Sequence, residues 1–248
     1  MSSSDLSVQL YTIRHALAED RGSALSRLAG LGFRAVELFD FVDRADAYAD
    51  LLGEHGLAAP SGHAMLIGED AGKVFDAAQT IGMRTVIQPM VAADRWADLD
   101  GGVGTARALN EIADRAADRG LVVGYHNHWW ELESRIGGTS ALEVFAEHLD
   151  DTVVLEVDTY WAEVGGEGAV ELLGRLGDRV GFLHVKDGPA TQVMSDQVAV
   201  GSGSLDVLAI MAAAPRALRV VELDDFAGDV FGALRDSLAY LTAHGVNA

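Results

Sequence analysis

The stretch VVLEVDTYWAEVGGEGAVELLGRLGDRVGFLHVKDG, Val153–Gly188, carries the pattern that decides the fold. Val153–Val157 is a short apolar run rich in β-branched residues, as expected of a strand buried on both faces. Ala169–Leu176 then repeats apolar residues at spacings of three and four, which predicts a helix with one buried stripe. Val180–Val185 is a second apolar run. Two fully buried strands joined by an amphipathic helix make a parallel βαβ unit.

The same alternation extends in both directions. Further strands are predicted at Ser7–Leu10, Ala35–Leu38, Ala58–Ser61, Thr85–Pro89, Val122–His126 and Arg219–Glu222. Helical periodicity occupies Ser23–Leu31, Ala45–Glu54, Ala71–Ile81, Thr105–Asp118, Ser140–Leu149, Leu205–Ala213 and Val230–Ala243. Gly32, Gly56, Gly82 and Gly120 stand where helices should stop, since glycine readily takes the left-handed conformation that closes a helix. Eight βα units predict an α/β chain that closes into a single (β/α)8 TIM barrel, one domain over residues 1–248. Such a barrel takes about 250 residues. A doubly wound open sheet is the alternative, and it is weakened because no GxGxxG follows the first strand.

Composition narrows the function. Lys and Arg total 18 against 38 Asp and Glu, a formal net charge of −20, so a nucleic-acid partner is not expected. There are no cysteines, which excludes disulfides, thiolate metal ligands and a thiol nucleophile. Met1–Asp5 is short and polar with no leader-like core, and no apolar run reaches the ~20 residues of a membrane span, so a cytoplasmic protein is expected.

Barrel active sites lie at the C-terminal ends of the strands. Those ends are polar throughout this chain: Gln9 and Tyr11, Glu37, His63, Gln88, His126 to Glu131, Glu156 to Trp161, His184 to Asp187, and Glu222 to Asp225. Buried charge is costly unless it is paired or bound to metal, so eight such ends imply a shared polar site. Asp158, His184 and Glu222 come from three successive strands and are the expected core of a metal site. One imidazole with two carboxylates suits Mn²⁺, Mg²⁺, Co²⁺, Zn²⁺ or Fe²⁺, with Mn²⁺ favoured. A metal-free His–carboxylate ion pair is the competing reading. A fourth donor is expected from the fifth strand: His126 first, with His128 and Glu131 behind it.

Around this core, Glu37, His63, Gln88, Trp161 and Lys186 are candidates for binding substrate, with a solvated surface lysine the competing reading for Lys186. Trp161 offers a flat apolar face for stacking on a sugar's C–H face. Trp129 and Trp130 read as packing residues. Gly201-Ser202-Gly203-Ser204 admits two readings, a phosphate cradle or a βα loop with a serine helix cap.

These segments together resemble the xylose-isomerase-like TIM-barrel superfamily of sugar phosphate isomerases and epimerases, in its inosose dehydratase-like branch. The carriers are Gly32–Leu38 (GFRAVEL), Tyr125–His128 (YHNH), Leu155–Trp161 (LEVDTYW), Leu183–Asp187 (LHVKD), Gly201–Gly203 and Val221-Glu222, spread over essentially the whole chain. In the superfamily's ketose epimerases the metal ligands are Glu, Asp, His and Glu at the ends of strands five to eight. The resemblance implies that Asp158, His184 and Glu222 match the last three. His126 stands where the first glutamate is usual, and Trp161 where a histidine often follows the Asp by three residues. A plain two-glutamate epimerase mechanism therefore does not carry over.

The chemistry expected is proton abstraction next to a carbonyl through an enediolate whose charge a divalent ion neutralises. Glu222 or His128 is the expected base, with Lys186 or His63 assisting at oxygen. The enediolate leads to isomerisation, epimerisation or, by loss of a β-hydroxyl, dehydration. The expected partner is a small sugar, keto-sugar or cyclitol. A non-catalytic sugar-binding subunit is the competing class, endonuclease IV-like repair is disfavoured by charge, and a homodimer is left open.

Overall fold

The computed structural model describes residues 6–247; Met1–Asp5, read above as a leaderless start, lie outside the described residues. Eight parallel strands close into a barrel: Leu6–Gln9, Ala35–Leu38, Ala58–His63, Thr85–Gln88, Val122–His126, Val153–Asp158, Val180–Val185 and Leu218–Val221. They are called the first to eighth strands below. Each pairs with its neighbours in chain order, and the eighth closes on the first through Leu6↔Arg219 and Val8↔Val221. The open-sheet alternative is thereby excluded. Every expected strand is present within two residues at either end. No helix among the described residues is long and apolar enough to cross a membrane.

Alternation along the strands separates two cores. Val123, Tyr125, Leu155, Val157, Leu183, Val185 and Val221 belong to the large cluster that joins the sheet to the helices. Ile87, Phe182 and Val220, with Val154 and Leu218 against them, form a separate small cluster, an apolar plug inside the barrel. Gly124 belongs with this plug: a Cβ there would lie 3.1 Å from Ile87 and 3.2 Å from Val154. Alternation two residues on from Val154, Phe182 and Val220 places Glu156, His184 and Glu222 above the plug, at the C-terminal mouth.

The helices follow the expected pattern with three additions. Arg14–Glu19, Trp130–Glu133 and Thr159–Val164 are helical, and the helix after the fourth strand starts at Leu99 rather than Thr105. That last difference arises because Asp98 caps the helix by accepting from the Gly101 amide, which carries it through a glycine-rich first turn. A two-stranded ribbon, Arg135–Ile136 with Thr139–Ser140, interrupts the unit after the fifth strand.

Gly201–Ser204 is not an open phosphate cradle. The Asp187 carboxylate accepts from the amides of Gly188, Gly201, Gly203 and Leu205 at 2.8, 2.9, 2.9 and 3.2 Å. An internal anion already fills the concavity. The following helix is capped by Asp206, not by a serine.

Candidate active site

Register brings the polar strand ends side by side. Gln9 pairs with Glu37 and Glu37 with Ser61; His126 pairs with Glu156; Asp158 pairs with His184. The side chains then interlock. Gln9 Nε2 and Ser61 Oγ donate to the two oxygens of Glu37 at 2.8 and 2.5 Å. Glu37 Oε1 in turn lies 2.7 Å from His184 Nε2 and 3.2 Å from His63 Nε2. The other ring nitrogen of His184, Nδ1, is 2.7 Å from Glu222 Oε2.

Two groups of donors meet at His184. Asp158, His184 and Glu222 form one, and His63, His126, Glu156 and His184 the other; within each, the donor atoms lie within 4.8 Å of one another. Imidazoles mixed with carboxylates fit a divalent ion. Two further observations support the fit. Glu156 Oε1 and His126 Nδ1 are buried with no hydrogen-bond partner among the described residues, an expensive arrangement for a carboxylate. His126 also lies 3.9 Å from Asp158, so it joins the imidazole-rich group more closely than the Asp158 group.

Lys186 lies within the first group. Its ammonium is 2.8 Å from Asp158 Oδ2, 2.8 Å from Glu222 Oε2 and 2.6 Å from Asp224 Oδ2. Gln197 braces Asp224 from behind, donating to its carboxylate at 2.6 Å. Lys186 is 1% exposed, which excludes the solvated-lysine reading.

The electrostatics follow from this crowding. Burial alone would neutralise the carboxylates. For Glu37 the charges of His63 and His184 outweigh burial and hold it well below the usual range. Burial and the Glu37 charge push Glu156 up, yet His184 and His63 bring it down to about 2. His63 is depressed by burial but raised by Glu37 and Glu156 to about 10. Burial depresses Glu222's charged form, but Lys186 and His184 keep it ionised, with its pKa lowered. Asp158 is pushed by burial up to about 6 despite Lys186. Burial and the Lys186 charge drive His128 down to about 3, which keeps it neutral and makes it a weak base.

Above these groups opens a cavity of about 880 Å³. His63, His126, His128, Trp161 and Glu222 reach its wall, as does Asp224. Trp129 and Trp130, expected to be packing residues, also line it. Trp130 stacks on His128 at 4.2 Å and Trp129 tilts against Trp161 at 4.8 Å, forming an aromatic wall.

Other sequence candidates lie elsewhere. Gln88 is buried outside the cavity: its oxygen accepts from the Leu66 and Ile67 amides and its nitrogen donates to the Met90 carbonyl, so its amide is spent on loop structure. Glu37 and Lys186 are buried behind the wall, touching His184 and Asp158 respectively. Glu131 accepts from the Tyr125 hydroxyl and the His128 amide and belongs to neither donor group. Glu156 stands among the polar strand ends but carries no role in the sequence reading. It stands two positions before Asp158 in a strand, so alternation alone places it on the same face.

The sequence profile of the xylose isomerase-like TIM barrel family matches residues 25–216. The chain belongs to this family. Its structure superposes on a sugar phosphate isomerase/epimerase from Parabacteroides distasonis with a TM-score of 0.86 and 23% identity, covering 100% of this chain and 96% of that one. The probable 3-DHS dehydratase of petrobactin synthesis from Bacillus anthracis gives 0.73 at 13% identity, covering 96% and 98%. The IOLI protein with a bound zinc atom gives 0.69 at 13%, covering 96% of each. At these identities the likeness is one of fold. An inosose dehydratase from Clostridium botulinum is 30% identical over 83 residues, 33% of this chain; the match spans 27% of that relative's length.

Proposed function

We propose that the protein is a divalent-metal-dependent isomerase or epimerase of a sugar or sugar derivative, acting by proton abstraction next to a carbonyl. One observation carries this reading. An ionised glutamate, Glu222, reaches the wall of an 880 Å³ cavity within 4.8 Å of an imidazole and a second carboxylate suited to a divalent ion. The donors proposed from the sequence are His126, Asp158, His184 and Glu222, with Mn²⁺ the favoured ion. Bound there, the ion supplies Lewis-acid polarisation of a carbonyl and an adjacent hydroxyl.

The protein's own groups do the rest. Glu222 takes the proton from the carbon beside the carbonyl; it is favoured over His128, whose burial leaves it too weak a base. Lys186, 2.8 Å behind Glu222, holds that carboxylate in place and stabilises its charge. His63, protonated between Glu37 and Glu156, presents a donor to a substrate oxygen at the cavity wall. Trp161 and Trp129 stack on the C–H face of the ring and exclude water.

A second reading, dehydration of an inosose or 3-keto sugar, is favoured by one feature. His63 and Glu222 reach the same cavity as an acid and a base, and loss of a β-hydroxyl requires both. Incubation with ketoses, inososes and 3-keto sugars in D₂O separates the two. Deuterium appearing beside the carbonyl without loss of water supports isomerisation or epimerisation, and an enone absorbance supports dehydration. Glu222→Gln is expected to lower either rate by about 10³-fold. Full exchange activity in that variant would remove Glu222 from the mechanism.

A further inference from the structure

The cavity has a buried floor and an open apolar rim. On the floor, Glu222 and Trp161 are 5% and 1% exposed. Seven large apolar side chains are exposed among the described residues, and four of them stand on this one wall. They are Tyr11, Met65, Met90 and Met194, at 40, 44, 42 and 45% exposure. Scattered exposed apolar residues need no explanation, but a cluster at a cavity mouth marks a binding surface.

The rim is also built. Buried Gln88 donates to Met65 Sδ at 3.5 Å and to the Met90 carbonyl at 2.6 Å, so one amide ties the loops after the third and fourth strands together. Tyr11 is held between the Arg14 guanidinium, 4.3 Å from its ring centroid, and the edge of Phe39 at 5.4 Å. Flexible methionines beside a fixed aromatic ring form an adaptable apolar surface.

The charge of the wall excludes an anion. It carries Asp40, Asp43, Glu69, Asp70, Glu222 and Asp224 against one ammonium, Lys73, and that ammonium lies 2.6 Å from Asp43. The wall holds no arginine. Both nearby sets of backbone amides are already taken by carboxylates of the chain itself: Asp70 accepts from Gly72 and Lys73 at 3.0 and 3.4 Å, and Asp187 fills the Gly201–Ser204 loop. A phosphate, with a charge near −2, finds no unpaired donor there and several like charges.

We infer that the substrate is a sugar derivative without phosphate that carries an O-linked aryl or alkyl group, seated on Tyr11, Met65, Met90 and Met194 while the polyol lies on the floor. The inference rests on the reaction proposed above and names its substrate class. Cavities of about 300–1,000 Å³ hold drug-sized ligands, so a bare monosaccharide leaves much of this one, about 880 Å³, unfilled. A second copy of the chain is a poorer occupant of the rim, because it brings the same −20 charge and the same acidic wall.

Isothermal titration with Mn²⁺ present tests the inference. The probes are the phenyl and methyl β-glycosides of glucose, galactose, mannose and xylose, the free sugars, and the 6-phosphates of glucose and mannose. For at least one sugar the phenyl glycoside is expected to bind at least about tenfold more tightly than the methyl one. Neither phosphate is expected to bind more tightly than its parent sugar. Tyr11→Ala and Met65→Ala are expected to bring the phenyl-to-methyl ratio to within about threefold of one, with thermal unfolding establishing that both variants are folded. Equal affinities for phenyl and methyl forms, no binding of any phenyl glycoside, or preference for a phosphate overturns the inference and leaves the isomerase reading intact. A wild-type dimer in light scattering that Tyr11→Ala dissociates puts a second copy on the rim and overturns it too. A phenyl preference without deuterium exchange or dehydration on any sugar upholds the apolar rim and overturns the proposed reaction.

Discussion

Lys186 and Asp187 are consecutive residues at the end of the seventh strand, each 1% exposed, and their charges are met in opposite ways. Lys186 points into the barrel mouth, where three carboxylates surround it. Asp187 points away, where four backbone amides surround it. The contrast separates function from structure. A charge held by side chains can be re-partnered when a ligand arrives. A charge held by backbone amides pins a loop and has nothing to exchange. The Lys186 side is therefore where chemistry is expected, and the Asp187 side is where the seventh βα loop is fixed.

The largest effect is expected from Lys186→Met. It leaves Asp158, Glu222 and Asp224 facing one another without a cation, and removing one partner of a buried pair typically costs about 4 kcal/mol. Urea unfolding measures the loss. Added divalent ion should recover part of it in this variant by taking the place of the ammonium. Unchanged stability in the absence of metal would mean that the three carboxylates manage without Lys186, and the contrast would fail.

Asp187→Asn is expected to cost less, about 3 kcal/mol. One carboxylate oxygen becomes an amino group, which faces two backbone donors and loses both bonds. Unlike Lys186→Met, this loss should not respond to divalent ions, because no ligand group has been exposed. Gly203→Ala tests the same loop from the other side. A Cβ there would overlap both the Asp187 carboxylate and the Gly188 backbone nitrogen, so the loop itself must shift, at a cost of about 2 kcal/mol.

Much of this was legible in the sequence, for reasons that also explain what was not. The strands announced themselves because burial on both faces leaves only apolar and β-branched residues, as in Val153–Val157 and Val180–Val185. Asp158, His184 and Glu222 stood out as charges ending such runs. Glu156 was hidden by lying inside one of them, though its spacing of two from Asp158 signalled a shared face. Lys186 read equally well as a surface residue, because only three-dimensional closure brings Asp224 and Asp158 to it. The Asp187 cradle was illegible in principle: its partners are backbone amides, which carry no sequence identity beyond Gly203's lack of a side chain. Thr159–Val164 escaped because its helix is under two turns long and begun by Asp158, whose Oδ1 accepts from the Trp161 amide at 2.9 Å.

Glu131 lies between the two extremes and gives the finest test of the contrast. Its carboxylate receives one hydroxyl, from Tyr125, and one backbone amide, from His128, with no cation in hydrogen-bond contact. Two neutral donors do not offset complete burial, so its pKa is pushed up to about 7. The sign of the consequence is fixed: a carboxyl raised in the folded state contributes stability below its ordinary range, and that stability is lost as pH rises through about 7. Between pH 6 and pH 7 the loss is roughly 1 kcal/mol from this one group. Glu131→Gln carries no proton to lose, so thermal unfolding of the variant should fall less steeply over that interval. Equal slopes in the two proteins would show that a hydroxyl and a single amide suffice to hold a buried carboxylate ionised, and that the four amides on Asp187 exceed what its charge requires.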